Sequence, residues 1–253
     1  EIDFDGREVS YQGMAIRPAI RIQISDFSVL DTTEDQPLAE QIKDLKKGDF
    51  IQFGRYYQDA SYLNGSEPIE WKVLDVSDGR ALLLSNFVLS SRPFHDKWYG
   101  NVWEFSALRN WLKEGFYNFS FNEQEKTLID HTYNNILGNV ESQTDEKMFS
   151  DPVFLLSLDE VNRYLPSEKD RLTSATAYAI LQGYSSYERS WWLRSPGGGG
   201  NRVVTVYDDG SINTSGYEAF AYVSYYGPSG NPYATYVHYV TSGVRPAIWL
   251  KNK

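Results

Sequence analysis

Pro68–Ser85 reads PIEWKVLDVSDGRALLLS, and this stretch decides the class of the fold. Two apolar, β-prone runs flank Asp78-Gly79, and Asp-Gly between such runs is the strongest short-range sign of a β-hairpin. Upstream, DFIQFGRYY (Asp49–Tyr57) supplies a further strand pattern. Downstream the period changes. Phe105, Leu108, Trp111 and Leu112 recur at helical spacing, with Gly115 as the expected stop. A second helix is expected from Asn122 to about His131, capped by Asn122 or by the Ser120/Glu123 pair. VFLLSLDEVNRYL (Val153–Leu165) predicts a strand, then a short helix with a Ser157/Glu160 capping box and Pro166 as stop. Thr173–Gly183 predicts a third amphipathic helix, and beyond Gly183 the pattern is all strand. Strands, then helices, then strands again indicate an α+β domain with small mixed or antiparallel sheets, two to three helices and long irregular loops.

Composition bounds the function. A chain of 253 residues with 41% hydrophobic and 23% charged residues has enough apolar surface for a sizeable core. Its 24 basic and 34 acidic side chains give a net charge of −10, which argues against nucleic acid, since that affinity rests on Lys and Arg neutralising phosphates. The absence of cysteine removes disulfides, zinc-cysteine sites and thiol nucleophiles, and leaves the compartment open. No run approaches the roughly 18 to 20 apolar residues of a membrane span, so direct membrane insertion is not expected.

The N-terminal segment carries an internal echo. FDGREVSYQGMAIRPAIRI (Phe4–Ile22) parallels YDDGSI (Tyr207–Ile212) followed by SGVRPAIWL (Ser242–Leu250). Residues 1–30 are therefore expected to be the closing hairpin of a preceding truncated repeat, or an N-terminal extension, and 31–47 a polar linker with a short helix after Pro37. The main domain is expected over 48–253, as part of a longer multi-domain chain. Asp31, Thr33 and Asp35 faintly suggest a calcium loop but lack its glycine and distal glutamate, so no metal is expected.

The ordered set GDFIQFGRYYQ, PIEWKVLDVSDGRALLLS, WEFSALRNWL, FYNFSFNEQEK, VFLLSLDEV, TAYA, WWLRSPG, YDDGSI and GVRPAIWL resembles a family of uncharacterised domains in bacterial surface and secreted proteins. That family in turn resembles the C-type-lectin-like fold in the variant of formylglycine-generating enzymes and retroelement variable proteins. The resemblance spans about Gly48 to Leu250. It implies a small sheet and two helices carrying long loops whose surface faces a ligand, and an extracellular or cell-surface location. Formylglycine generation needs cysteines, which this chain lacks. Calcium-dependent lectins use Glu-Pro-Asn or Gln-Pro-Asp, and neither Glu67-Pro68-Ile69 nor Asp35-Gln36-Pro37 matches.

SWWLRSPGGGG (Ser190–Gly200) predicts the root of that loop surface. By the period of two, Trp191 and Leu193 face one side of a strand, Trp192 and Arg194 the other. Arg194, and Arg245 in GVRPA, read as structural pins that stack on tryptophan and fork onto a carboxylate, with Glu104 and Glu70 as candidate partners. Pro196 ends the strand, and Gly197–Gly200 are expected to release the backbone into a loop.

Gly216–Gly243 holds seven tyrosines among small polar residues, with Glu218 its one formally charged side chain. Antibody paratopes use the same mixture, because tyrosine offers large amphipathic contact area at low entropy cost. The alternative is that the tyrosines pack a long hairpin around Gly227–Pro232. Tyr222, Tyr225, Tyr226, Asn231, Tyr233, Tyr236 and His238 are the candidate ligand-binding residues, for a glycan or a protein. His95–Phe105 is a second candidate surface, with core packing of Trp98 and Trp103 as its alternative.

Catalysis finds little support in the residues. His95, His131 and His238 have no ligand spacing, Ser229 lacks the second glycine of a nucleophile elbow, and GGGGN lacks the Lys-Ser/Thr of a phosphate loop. Asp96, Glu104, Asp208 and Asp209 are the carboxylates available to a glycosidase, and no spacing pairs them. The expectation is a non-enzymatic recognition or adhesion module without cofactor. A glycan hydrolase and a spacer in a repeat array are the alternatives.

Overall fold

The computed structural model describes residues 38–95, 100–135, 148–184, 189–198, 200–218, 223–226, 232–236 and 241–252. Residues 1–30 and the segment Asp31–Asp35 lie outside them. Leu38–Lys43 forms α1, whose Ile42 is fully buried, so this turn of helix packs as part of the domain.

Strands β1 (Phe50–Tyr56), β2 (Glu67–Ser77) and β3 (Arg80–Ser85) follow as an antiparallel meander. The β2–β3 turn is the expected Asp78-Gly79. Both residues have positive φ, 52° and 69°, as a two-residue turn matched to strand twist requires. After β4 (Ser90–Pro93) the chain becomes helical. Ala107–Asn110 (α2) runs on through a π-helical stretch, Trp111–Phe116, into Tyr117–Ser120 (α3).

The expected stop at Gly115 is therefore not one. A Cβ there would lie 3.0 Å from the Trp111 ring, so the glycine lets that indole fold back against its own helix. Phe105, expected on the buried face, is 67% exposed.

The second helix, α4 (Glu123–Leu128), starts at a capping box of Asn122 with Glu125, and Ser120 takes no part in it. Short strands β5 (Ile129–Asp130), β6 (Thr132–Asn135) and β7 (Met148–Asp151) come next. Val153–Leu156, expected as a strand, makes a single bridge, Phe154 to Ala247. Three short helices follow, α5 (Leu158–Tyr164), α6 (Glu168–Arg171) and α7 (Ala177–Leu181). The Ser157/Glu160 capping box opens α5 as expected. The helix expected over Thr173–Gly183 is shorter, because Thr176 caps it.

The rest is strand: β8 (Ser190–Pro196), β9 (Arg202–Tyr207), β10 (Ile212–Glu218), β11 (Val223–Tyr226), β12 (Pro232–Tyr236), β13 (Thr241–Val244) and β14 (Ala247–Lys251). One five-stranded sheet has the order β1-β2-β3-β14-β5 and is antiparallel throughout. A second has the order β10-β9-β8-β13-β4, with β13 parallel to β8 and the other pairs antiparallel. β11–β12 and β6–β7 are separate two-stranded sheets. The class is thus mixed α+β, as the order of patterns indicates. Among the described residues no helix is long and apolar enough to cross a membrane.

One hydrophobic cluster joins the sheets and helices, with Trp71, Trp103, Trp191 and Trp192 among its largest members. Their indoles do more than fill space. Trp71 Nε1 donates to the Phe53 carbonyl (2.7 Å), and Trp192 Nε1 to the Arg92 carbonyl (2.8 Å). Trp103 Nε1 donates to the fully buried Asp151 carboxylate (3.0 Å). Arg109 holds the same carboxylate, with Nε and a terminal nitrogen each 2.7 Å from Oδ1. A buried acid so held is an internal staple between α2 and the end of β7.

Candidate functional site

The residues of SWWLRSP are buried on both faces of β8, so strand alternation separates two packed sides instead of an inner and an outer one. Arg194 forks onto Glu160, at 2.6 Å to Oε2 and 2.9 Å to Oε1, and also donates to the Leu155 carbonyl. Glu160 is the capping-box acid of α5 and accepts from its Ser157 N–H (2.7 Å). One carboxylate therefore closes a helix start and fixes β8 to it. The expected partners are corrected here. Glu70 accepts from Asn86 instead (2.5 Å), and the Glu104 backbone carbonyl accepts from Arg109.

Arg245 lies just beyond β13, with its guanidinium 4.9 Å from the Trp191 ring centroid, as stacking predicts. It pairs with no carboxylate among the described residues. Its acceptors are carbonyls, Ser85 at 3.0 and 3.2 Å, Arg171 at 3.4 Å and Asn86 at 3.5 Å. Burial pushes this guanidinium down to about 9, and the nearby Tyr184 opposes that only in part. Burial likewise raises the Tyr184 phenol to about 12. The arginine-bearing segments are neighbours, since Gly243 of β13 pairs with Trp191 of β8.

Pro196 ends β8 as expected, but the first glycine after it does not free the chain. Gly197 N–H donates to the Arg202 carbonyl (2.7 Å), and a Cβ there would meet the Ser215 carbonyl at 2.7 Å. Close backbone approach is what this position requires.

The tyrosine-rich segment leaves that sheet from β10 and re-enters it at β13. Between them β11 and β12 pair with each other, Val223 to Tyr236 and Tyr225 to Ala234. Tyr225, Tyr226, Tyr233 and Tyr236 lie on this hairpin, whose backbone is described. Tyr222, Asn231 and His238 lie outside the described residues, as do Ser229, Trp98 and Asp96. Trp103, from the second candidate surface, is fully buried, in line with core packing.

Other sequence candidates have local roles. Asp209 accepts from the backbone N–H and hydroxyl of Ser211 in the β9–β10 turn, and those bonds hold its carboxyl below the usual range. Its neighbour Asp208 is exposed. His131 is exposed and sits edge-on to Tyr117, and His95 is buried in the core. Glu67-Pro68-Ile69 lies within β2, with Ile69 fully buried. Among the described residues no three His, Asp or Glu converge as metal ligands.

A second cluster escaped sequence reasoning. On β4, Ser90 and Arg92 share a face. The Arg92 guanidinium lies 4.0 Å from the Trp111 ring centroid, on the indole that Gly115 admits. Tyr56 is 6.4 Å from Trp111 and 5.7 Å from Phe119, and Tyr57 is 5.1 Å from Phe119 and 5.3 Å from Tyr178. Tyr56 and Tyr178 are buried, Phe119 is half-exposed, and Tyr57, Trp111 and Arg92 are partly exposed. Burial raises the Tyr56 phenol, which the Arg92 charge counteracts, so it stays a neutral donor. The Ser90 hydroxyl adjoins it without hydrogen-bond geometry, and both Ser90 Oγ and Arg92 Nε are buried without a partner. The consecutive tyrosines of GRYYQ and the polar Ser-Ser-Arg of a short strand were the available signals, but six separate segments meet here.

These features define an α+β domain of two five-stranded sheets, with an arginine-pinned root beneath a tyrosine-rich hairpin and an arginine-aromatic surface beside it in the sequence of elements. The chain belongs to the family described as a domain of unknown function (DUF6273), whose model matches residues 78–252, from the hairpin turn through β14. No curated protein and no solved structure matches it.

Proposed function

We propose that this domain is a non-enzymatic ligand-binding module of a bacterial surface or secreted protein, with a C-type-lectin-like fold of the formylglycine-generating-enzyme variety. The ligand is a glycan or a protein, taken through the tyrosine-rich hairpin. One observation carries the reading. The hairpin β11–β12 pairs with neither five-stranded sheet, while its flanks β10 and β13 both belong to one of them. A tyrosine-rich excursion on a fixed frame suits recognition, because rigid flanks reduce the ordering that binding must impose. The fold reading draws support from the chain's return, since its last strand, β14, inserts between β3 and β5 of the first sheet.

The test replaces Tyr225, Tyr226 and Tyr233 together by serine, with thermal melting as the fold control. Glycan and protein arrays are then probed with parent and variant. Loss of the parent's ligands by the folded variant is expected. Equal binding by both would overturn the reading.

A further inference from the structure

The arginines of this domain divide by what they hold. Arg80, Arg109 and Arg194 each pair with a carboxylate, Asp130, Asp151 and Glu160 respectively. Arg171 and Arg245 are buried and bind backbone carbonyls. Arg92 does neither. Its guanidinium is stacked on Trp111, its Nε is buried without an acceptor, and among the described residues no carboxylate lies within ion-pair distance of it. In a chain with ten more acidic than basic side chains, a partly buried cation without an acid calls for an external anion.

The surroundings select its kind. A planar guanidinium held on an indole presents its N–H groups in a fixed fork, which matches a carboxylate. A single cation suits one carboxylate charge better than a phosphate dianion. Beside it, the partly exposed rings of Tyr57, Phe119 and Trp111 offer flat faces that suit the C–H face of a pyranose. The buried Ser90 hydroxyl on the same strand face is a polar group still to be satisfied.

We propose that Arg92, seated on Trp111 beside Tyr57 and Phe119, anchors a binding site for the carboxylate of a hexuronate sugar. The site does not depend on the hairpin and stands whether or not the hairpin binds anything.

The experiment titrates the intact chain with D-glucuronate, D-glucose, acetate and inorganic phosphate, following the Trp111 indole and Arg92 Nε–H resonances by NMR. Glucuronate saturates both signals, and glucose and acetate bind at least about tenfold more weakly, because each lacks either the charged fork contact or the ring contact. Arg92→Lys keeps charge and stem but loses the fork, and weakens glucuronate by about tenfold or more. Phe119→Ser, at a half-exposed position, weakens glucuronate and leaves acetate unchanged; it tests the ring contact even where an Arg92 variant fails to fold. No response to glucuronate overturns the proposal, as does an equal response to phosphate or to acetate. If glucuronate binding is lost with Tyr225, Tyr226 and Tyr233 but kept in the Arg92 variant, the acid belongs to the hairpin, and this site falls while the hairpin reading stands.

Discussion

Arg194→Met isolates what holds β8 to the start of α5. Methionine keeps an apolar stem against Phe154, whose ring centroid lies 5.5 Å from the native guanidinium, and deletes the charge. Three short charge-assisted hydrogen bonds go with it, two to Glu160 and one to the Leu155 carbonyl. Removing one partner of a buried ion pair costs about 3–5 kcal/mol. The Glu160 side chain is 23% exposed and keeps its Ser157 N–H contact, which places the expected loss at the low end, about 3 kcal/mol. For a domain of this size that lowers Tm by about 6–12 °C. Urea unfolding of the parent, Arg194→Met, Glu160→Gln and the double variant forms a cycle, with an expected coupling of about 1.5–3 kcal/mol. A loss below about 1 kcal/mol for Arg194→Met, or a coupling indistinguishable from zero, would refute the idea that this pair pins the strand.

Arg245→Met should destabilise less than Arg194→Met in the same urea assay, because it strands only carbonyls and removes a charge that burial already disfavours. Asp151→Asn removes the charge that Arg109 and Trp103 share, and should lose about 3–5 kcal/mol by urea unfolding. Gly79→Val forces a β-branched residue to φ near 69° and should cost at least about 1–2 kcal/mol by thermal melting, whereas Asp78→Asn should be close to neutral. Alkaline stability follows the buried phenols. Tyr184 is raised to about 12, so the folded state holds a proton that the unfolded state releases near pH 10. Its contribution is complete below pH 10 and lost as pH rises towards 12, by up to about 3 kcal/mol. Denaturant melts from pH 8 to 11 should show a decline that Tyr184→Phe flattens.

Local chemistry was legible in the sequence wherever it decided the outcome. The Asp78-Gly79 turn, the Ser157/Glu160 box and the Asn122 cap need only residues within three or four positions of one another. The helix through Gly115 was not legible, because glycine's low propensity yields to packing, here the Trp111 ring folded against it. Partner choice was equally hidden. Arg194 meets an acid 34 residues away, and nothing in the spacing favours Glu160 over Glu104 or Glu70. The Arg92 surface is harder still, since Tyr56, Tyr57, Arg92, Trp111, Phe119 and Tyr178 come together only through the tertiary fold. Its one sequence trace is polarity on a strand that the core covers.

Arginine over an aromatic ring recurs in this domain, as Arg80 on Trp249, Arg92 on Trp111, Arg194 on Phe154 and Arg245 on Trp191. The ring contributes only about 0.5–2 kcal/mol to such a stack, so it cannot by itself offset taking a guanidinium out of water. The remaining donors decide the role. Where they meet Asp130, Glu160 or the Ser85 carbonyl, the stack is part of the frame and its removal is read as lost stability. Where they meet nothing, as at Arg92 Nε, the deficit is made good only by what binds there. Stability and ligand affinity should therefore separate cleanly between Arg194 and Arg92, although both are arginines on short strands of the same sheet.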